Sequence, residues 1–321
     1  MLNEPPLPLL SNARPSERLE LFSRKLRYCC YVFDFEDPEA NVREKELKRI
    51  YLNEVIELME TGRGILVEPI YAMSFSMFAH NVFRPLPPRD PKYDPDEDDP
   101  ISTPDWPHLQ LVYTYLFRVL ESADFQPSEA KNYIDHKFVC KLMDKFGTDD
   151  LNERECLKTA LHRIYGKFLG LRAFIRRVIN HKFLEMLYED LKFPGVLEIL
   201  EVLGSIINGY ACPLKQEHKQ FLFQILLPLH SSPDLQRFQA QLVYCVVQYL
   251  EKEPGLTEPF VRKFLKRWPR TFSAKEVMFL GELEEILDVM QPSEFVKVQG
   301  EICRKIAEGV RSEHFQVNKT K

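Results

Sequence analysis

The chain has 321 residues, 45% of them hydrophobic and 28% charged, with a formal net charge of −5 and a pI near 6.0. Such a chain can bury a large core, and its acidic balance excludes the basic footprint of a generic nucleic-acid binder. No apolar run reaches the roughly 18 residues of a membrane span, and the proline-broken start MLNEPPLPLL matches neither a signal nor a transit peptide.

In chain order, residues 1–16 read as an extended segment, and the helical period then sets in. Helices are predicted near 17–31, 44–60, 66–82, 107–121, 127–145, 151–178, 181–190, 195–210, 216–229, 236–251, 257–267, 274–288 and 293–309. Pro107 suits a first helical turn, where a missing N–H costs nothing. Ser273, with Glu276 at capping-box spacing, and Ser293 read as N-caps. Breaks at Gly62 and Gly64, Gly147, Pro194 and Gly195, Pro254 and Gly255, and Pro292 keep the connections short.

Helices of this length with short links predict an all-α fold, a curved HEAT/armadillo-like solenoid of antiparallel helix pairs. Residues 17–317 form one such repeat domain, and 318–321 form a C-terminal tail. The stretch 84–107 departs from the pattern. Its eight prolines prevent helix and its acids prevent burial, so it is an exposed acidic loop within the domain. Asp94, Asp96 and Asp98 imitate the first ligands of a calcium loop. Asp99 in place of the sixth-position glycine, and Asp105 in place of the twelfth-position glutamate, argue against calcium.

Seven cysteines without CxxC spacing point to a reduced, intracellular compartment. Cys140 and Cys245 stand in apolar contexts, and Cys29 and Cys30, inside YCCYVF, read as buried thiols instead of a redox pair. The chain carries no HExxH, P-loop, GxGxxG, GxSxG or kinase signature, so no catalytic residue, metal or cofactor is assigned. His80, His136 and His230 read as helix-edge or loop residues, and Glu284 and Glu285 as a solvated face.

One segment stands out. Leu157, Leu161, Ile164, Phe168, Leu171 and Ile175 mark the core seam of a long helix. One residue on, Lys158, His162, Tyr165, Leu169 and Arg172 form a second stripe beside that seam. An imidazole, a phenol, an apolar side chain and two cations suit a bound peptide better than bulk water. Residues 196–211 carry two apolar seams: Val196, Leu200, Leu203 and Ile207, and Ile199, Val202 and Ile206. Periodicity alone leaves two readings of Val202 and Ile206, the wall of a groove or plain core.

LKTALHRIYGKFLGLR followed by LEVLGSIINGYACPLKQEH resembles the B-prime (56-kDa) family of regulatory subunits of protein phosphatase 2A. KLRYCCYVFDF, VEPIYAMSFSMFAHNVFRPLPP, WPHLQLVYTYLFRVLESADFQP, AQLVYCVVQYLEK, KEVMFLGELEEILDV, PSEFVK and HFQV (314–317) agree in order, nearly from end to end. The resemblance implies a HEAT-like, non-catalytic subunit. Its partners would be the phosphatase scaffold and catalytic subunits, together with substrates bearing a Leu-x-x-Ile-x-Glu motif.

It implies a peptide groove of Lys158, Thr159, His162, Arg163, Tyr165, Leu169, Arg172, Val202, Ile206 and His218. Val202 stands where the family commonly has Ile. The acidic loop 94–99 resembles the family's acidic loop, whereas 188–194 and 231–240 diverge. The family continues beyond HFQV, while this chain ends NKTK, which reads as a C-terminal truncation. The alternative expectation is therefore a stand-alone or decoy peptide-binding module without full holoenzyme assembly. Location is expected to be cytoplasmic, with the nucleus as a second compartment.

Overall fold

The computed structural model describes residues 5–88, 93, 98–189 and 192–311, and among them every regular element is helical. Asp94, Asp96, HFQV at 314–317 and the tail 318–321 lie outside the described residues. The chain divides into two compact units, Met1–Val178 and Ile179–Lys321. No helix among the described residues is long and apolar enough to cross a membrane.

The first unit holds α1 (Pro15–Cys29), α2 (Val42–Thr61), α3 (Glu68–Val82), α4 (Trp106–Glu121), the short α5 (Pro127–Ala130), α6 (His136–Lys145) and α7 (Leu151–Lys167). Prolines open α1, α3, α4 and α5 in their first turns, where the ring's fixed φ suits the helix. Helix α1 pairs with α2 and α3 with α4, while α1 also packs on α3 and α2 on α4. That is the stacking of successive helix pairs expected of a HEAT-like array. Helix α7 then packs on α4 and α6. Phe22, Phe78, Tyr113 and Tyr115 are buried at their junctions, each contributing about 1.5–3 kcal/mol of apolar burial.

Charges are buried here too, and each ties a loop to a helix. Glu54 accepts from Lys25 Nζ at 2.7 Å and from the Leu10 amide at 2.8 Å, while the Tyr51 hydroxyl accepts from the Leu7 amide at 2.7 Å. Lys48 donates to the Tyr31 carbonyl at 2.6 Å and to Asn81 Oδ1 at 2.5 Å, and burial pushes its ammonium down to about 8. His108 meets Phe35 edge to face at 4.7 Å. Burial, aided by the Lys48 and Arg49 cations, pushes its imidazole down to about 4.

Arg84 spans Asp105 at 3.0 Å and Glu153 at 3.1 Å, and the Tyr113 hydroxyl donates to Glu153 at 3.2 Å. Both ends of the proline-rich segment therefore meet on the first turn of α7. There Asp150 caps the helix, accepting from the Asn152 amide at 2.9 Å and the Glu153 amide at 3.3 Å.

Helix α8 (Arg172–Tyr188) runs from the first unit into the second. The second unit continues with α9 (Val196–Asn208), α10 (Gln216–Phe221), a π-helical turn (Leu222–Leu226), α11 (Leu227–Leu229), α12 (Leu235–Lys252), α13 (Thr257–Lys266), α14 (Ser273–Val289) and α15 (Pro292–Val310). Helix α12 packs on α9 and α14, and α13 on α15. Gly204 permits the close approach of α12, since a Cβ there would lie 2.7 Å from the Tyr244 ring. The π turn sits just before Pro228, which lacks an amide hydrogen and would press on the carbonyl of Gln224 in a regular helix.

Several expectations change. The helix predicted over 127–145 splits, because Asp135 turns its side chain to cap the Phe138 amide at 2.8 Å. The helix predicted over 151–178 is broken at Phe168, and the break predicted between 178 and 181 falls within α8. Ser273 lies inside α14, and Glu276 accepts from the Trp268 indole at 2.8 Å instead of closing a capping box. Pro292 opens α15 with Gln291 as its cap, so Ser293 lies one residue inside the helix.

His230 is wholly buried, its Nε2 2.8 Å from Glu282 Oε1 amid the rings of Phe260, Phe264 and Phe279. It is a core residue, not an edge one. Cys29 and Cys245 are buried, and burial pushes both thiols up to about 12. Cys30 is half-buried. Cys140 is exposed, because it lies on the outer face of α6.

Candidate functional site

Along α7 the core seam is as expected, with Leu157, Leu161 and Ile164 fully buried and Phe168 nearly so. The helix stops after Lys167, where Phe168 leaves the helical region (φ −106°, ψ 80°) and a 3-10 turn, Leu169–Leu171, leads into α8. Gly166 and Gly170 flank the break. The seam resumes beyond it at Ile175, buried in α8, although Leu171 on the turn is only half-buried, and the second stripe does not stay on one helix. Leu169 is carried out on the turn, 69% exposed.

The broken ladder leaves carbonyls at the end of α7 without amide partners. Arg172 takes two of them: Nε donates to the Tyr165 carbonyl at 3.0 Å and Nη2 to the Gly166 carbonyl at 3.2 Å. Its guanidinium lies 5.2 Å from the Tyr165 ring centre, within cation–π range. Arg176, one turn further along α8, donates to the Tyr165 hydroxyl at 3.1 Å. Tyr165 is thereby held at its backbone by one arginine and at its phenol by another. Its half-exposed ring gives a ligand an aromatic surface flanked by two fixed cations.

The other residues of the first unit divide. His162 is exposed one turn before Tyr165. Lys158 pairs with Glu155 at 2.7 Å, and the Thr159 hydroxyl donates to the Glu155 carbonyl at 3.1 Å. Arg163 points the other way. It pairs with Glu121 at 2.7 Å, lies 4.6 Å over the Phe117 ring, and so fastens α7 to α4. Leu169 lines a cavity of about 640 Å³ whose walls include Ile134, His136, Lys167 and Leu171, and His136 stacks on Phe174 at 4.0 Å.

In the second unit, Val202 and Ile206 are 2% and 4% exposed on α9. His218, on α10, stacks flat against Tyr210 at 3.7 Å, with Nε2 3.3 Å from Glu217.

Sequence reasoning missed Arg176 and Tyr210. Arg176 was findable, since Arg172 and Arg176 stand at i and i+4 on one helix. Tyr210 was not, because it lies in the 209–215 connection, outside any helical period.

A profile of the protein phosphatase 2A regulatory B subunit (B56 family) matches residues 7–321. The human serine/threonine-protein phosphatase 2A 56 kDa regulatory subunit alpha isoform is 55% identical over 313 residues, 97% of this chain and 64% of that protein. The human beta isoform is 56% identical, covering 97% of this chain and 63% of its own length. The rabbit (Oryctolagus cuniculus) delta isoform is 55% identical over 316 residues, 97% of this chain and 54% of that protein. The chain thus spans less than two thirds of the length of these relatives, all of them named as regulatory subunits. On this evidence the chain belongs to the B56 family of protein phosphatase 2A regulatory B subunits.

Proposed function

We propose that this chain is a non-catalytic regulatory subunit that recruits substrates carrying a Leu-x-x-Ile-x-Glu motif to protein phosphatase 2A. The observation that carries the reading is the Tyr165 constellation, an aromatic ring on a half-exposed helix end with Arg172 and Arg176 locked against it. Such a surface suits a short segment combining an aliphatic anchor with acidic groups. The aliphatic anchor packs on the ring, and the carboxylates meet preorganised guanidinium groups. His162 and Lys158 extend the polar edge; the family resemblance adds Val202, Ile206 and His218, which belong to the second unit. The partners proposed are the scaffold and catalytic subunits, in the cytoplasm and nucleus.

Two aliphatic anchors at about 1.5–3 kcal/mol each and charge-assisted hydrogen bonds at about 1.5–3 kcal/mol each face the cost of ordering a free peptide. The balance corresponds to a micromolar affinity, about −8 kcal/mol, which allows rapid exchange of substrates. The test is calorimetric titration of a Leu-x-x-Ile-x-Glu peptide into the chain, alongside Arg172→Ala and the double variant His162→Ala with Tyr165→Ala. Both variants are expected to lose binding while keeping their helicity, and unchanged affinity in both rejects the site. Co-purification with the scaffold and catalytic subunits tests the regulatory role separately.

A further inference from the structure

We propose that Thr103 is a phosphorylation site whose modification unclasps the proline-rich segment from the first turn of α7. Thr103 fastens the C-terminal end of that segment, as Arg84 fastens its start. Its amide donates to Asp150 Oδ2 at 2.9 Å, and its hydroxyl donates to the same oxygen at 3.4 Å. The other oxygen of that carboxylate, Oδ1, caps α7 through the Asn152 and Glu153 amides. One side chain, 1% exposed, therefore holds the end of the segment and the start of the helix together.

The sequence around the clasp is suited to a kinase. Pro104 follows Thr103, which restricts the threonine to the extended backbone in which kinases read their substrates. Ser102 and Pro104 are exposed and Thr103 is half-buried. Few local bonds need opening: the two to Asp150, and the Trp106 amide donating to the Thr103 carbonyl at 2.9 Å. Proline-directed serine/threonine kinases modify Ser-Pro and Thr-Pro; Ser102, followed by threonine, offers neither, and the other such dipeptide in the sequence is Ser232-Pro233. In the transfer, Oγ1 of Thr103 bonds to the γ-phosphorus of ATP and the bond to the β–γ bridging oxygen breaks. ADP leaves, and the hydroxyl proton passes to the kinase base.

The product cannot return to the clasp. A phosphothreonine carries about −1.5 to −2 charges and no hydroxyl hydrogen to donate, and it would face the Asp150 carboxylate with Glu153 and Asp105 behind. The cations nearby are engaged. Arg84 is spread across Asp105 and Glu153, Lys145 donates to the Arg84 carbonyl at 3.4 Å, and Arg154 donates to the Thr148 carbonyl at 3.0 Å. Repulsion of like charges holds the segment open, so modification shifts the population toward the detached state.

The test treats the full chain with ATP, magnesium and a cyclin-dependent kinase, locates phosphate by mass spectrometry, and follows amide hydrogen exchange. The expected result is phosphate on Thr103, at least tenfold faster exchange across 101–106, and unchanged exchange in α7 beyond Leu157. Asp150→Asn keeps an N-capping side chain but removes the charge, so there the acceleration caused by phosphate should shrink to less than twofold. If Asp150→Asn does not fold, Thr103→Glu in the otherwise native chain gives the second reading and should also accelerate exchange across 101–106. The proposal is overturned if the kinase modifies a peptide of residues 98–109 but leaves Thr103 of the folded chain untouched. It is equally overturned if phosphorylated chain exchanges at the native rate or more slowly, as a phosphate bonded into the helix start would produce.

Discussion

The end of α7 and the body of α9 carry the same sequence signal and meet opposite fates. Each shows an apolar or semi-apolar stripe beside a core seam, yet Leu169 is 69% exposed while Val202 and Ile206 are 2% and 4% exposed. Helix α9 runs unbroken and packs along α12, and both of its seams are buried. Helix α7 stops at Lys167, and the side chain that would continue its second stripe is carried outward on a 3-10 turn. A second stripe thus does not by itself decide whether a side chain is buried or exposed; where the helix ends does.

The largest expected effect tests the buried half of that contrast. Ile206→Ala should leave a cavity in α9 and lower the unfolding free energy by about 2–5 kcal/mol in urea titration. A cost below about 1 kcal/mol would mean that α9 repacks freely and that its burial is not specific.

The next concerns a titratable group buried in the first turn of α4. His108 has its imidazole pushed down to about 4 from the ordinary 6.5, so the fold keeps it neutral. It is faced by Lys48 and Arg49, by Glu46 and Asp105, and by the Phe35 ring. Its contribution is complete above about 6.5 and is lost as pH falls through about 4, since the unfolded chain then binds a proton that the fold refuses. Comparing urea titrations at pH 7 and pH 4, His108→Gln should lose less stability than the native chain, by up to about 3 kcal/mol.

A smaller loss is expected at the α7 end itself. Arg172→Ala removes two hydrogen bonds from exposed-edge carbonyls and should cost about 1–2 kcal/mol, while exchange of the α8 amides rises. Smallest of all, Leu169→Ala should change stability by less than about 0.5 kcal/mol. Against Ile206→Ala, this pair measures the contrast directly: similar side chains, similar spacing, and a severalfold difference in cost.

The period made the helices and the core seam of α7 legible before any coordinates. It could not reveal the break at Phe168, because Ile175 keeps the seam in phase on the far side. The capping role of Arg172 depends on that break and was hidden with it. His230 illustrates a different limit. Its partner Glu282 is 52 residues away, and a lone histidine in sequence gives no sign of a buried carboxylate waiting for it. Ser293 is no cap because Pro292 opens α15 one residue earlier, and Ser273 is no cap because it is already the first residue of α14, after the extended Phe272.

The π turn at Leu222–Leu226 acts as a phase shifter between α10 and α11. It holds one residue more than an α-helical turn, which rotates everything before it by about 100° relative to everything after it. His218, stacked on Tyr210, lies before the turn, and the buried Leu227 and Leu229 lie after it. Excising one residue from the turn, with Pro228→Ala so that a regular ladder can close, would leave composition and apolar content almost untouched. The α10 face that carries His218 would nonetheless swing about a quarter-turn relative to the buried Leu227 and Leu229, so which side chains of this helix meet the core depends on the count of residues in its middle.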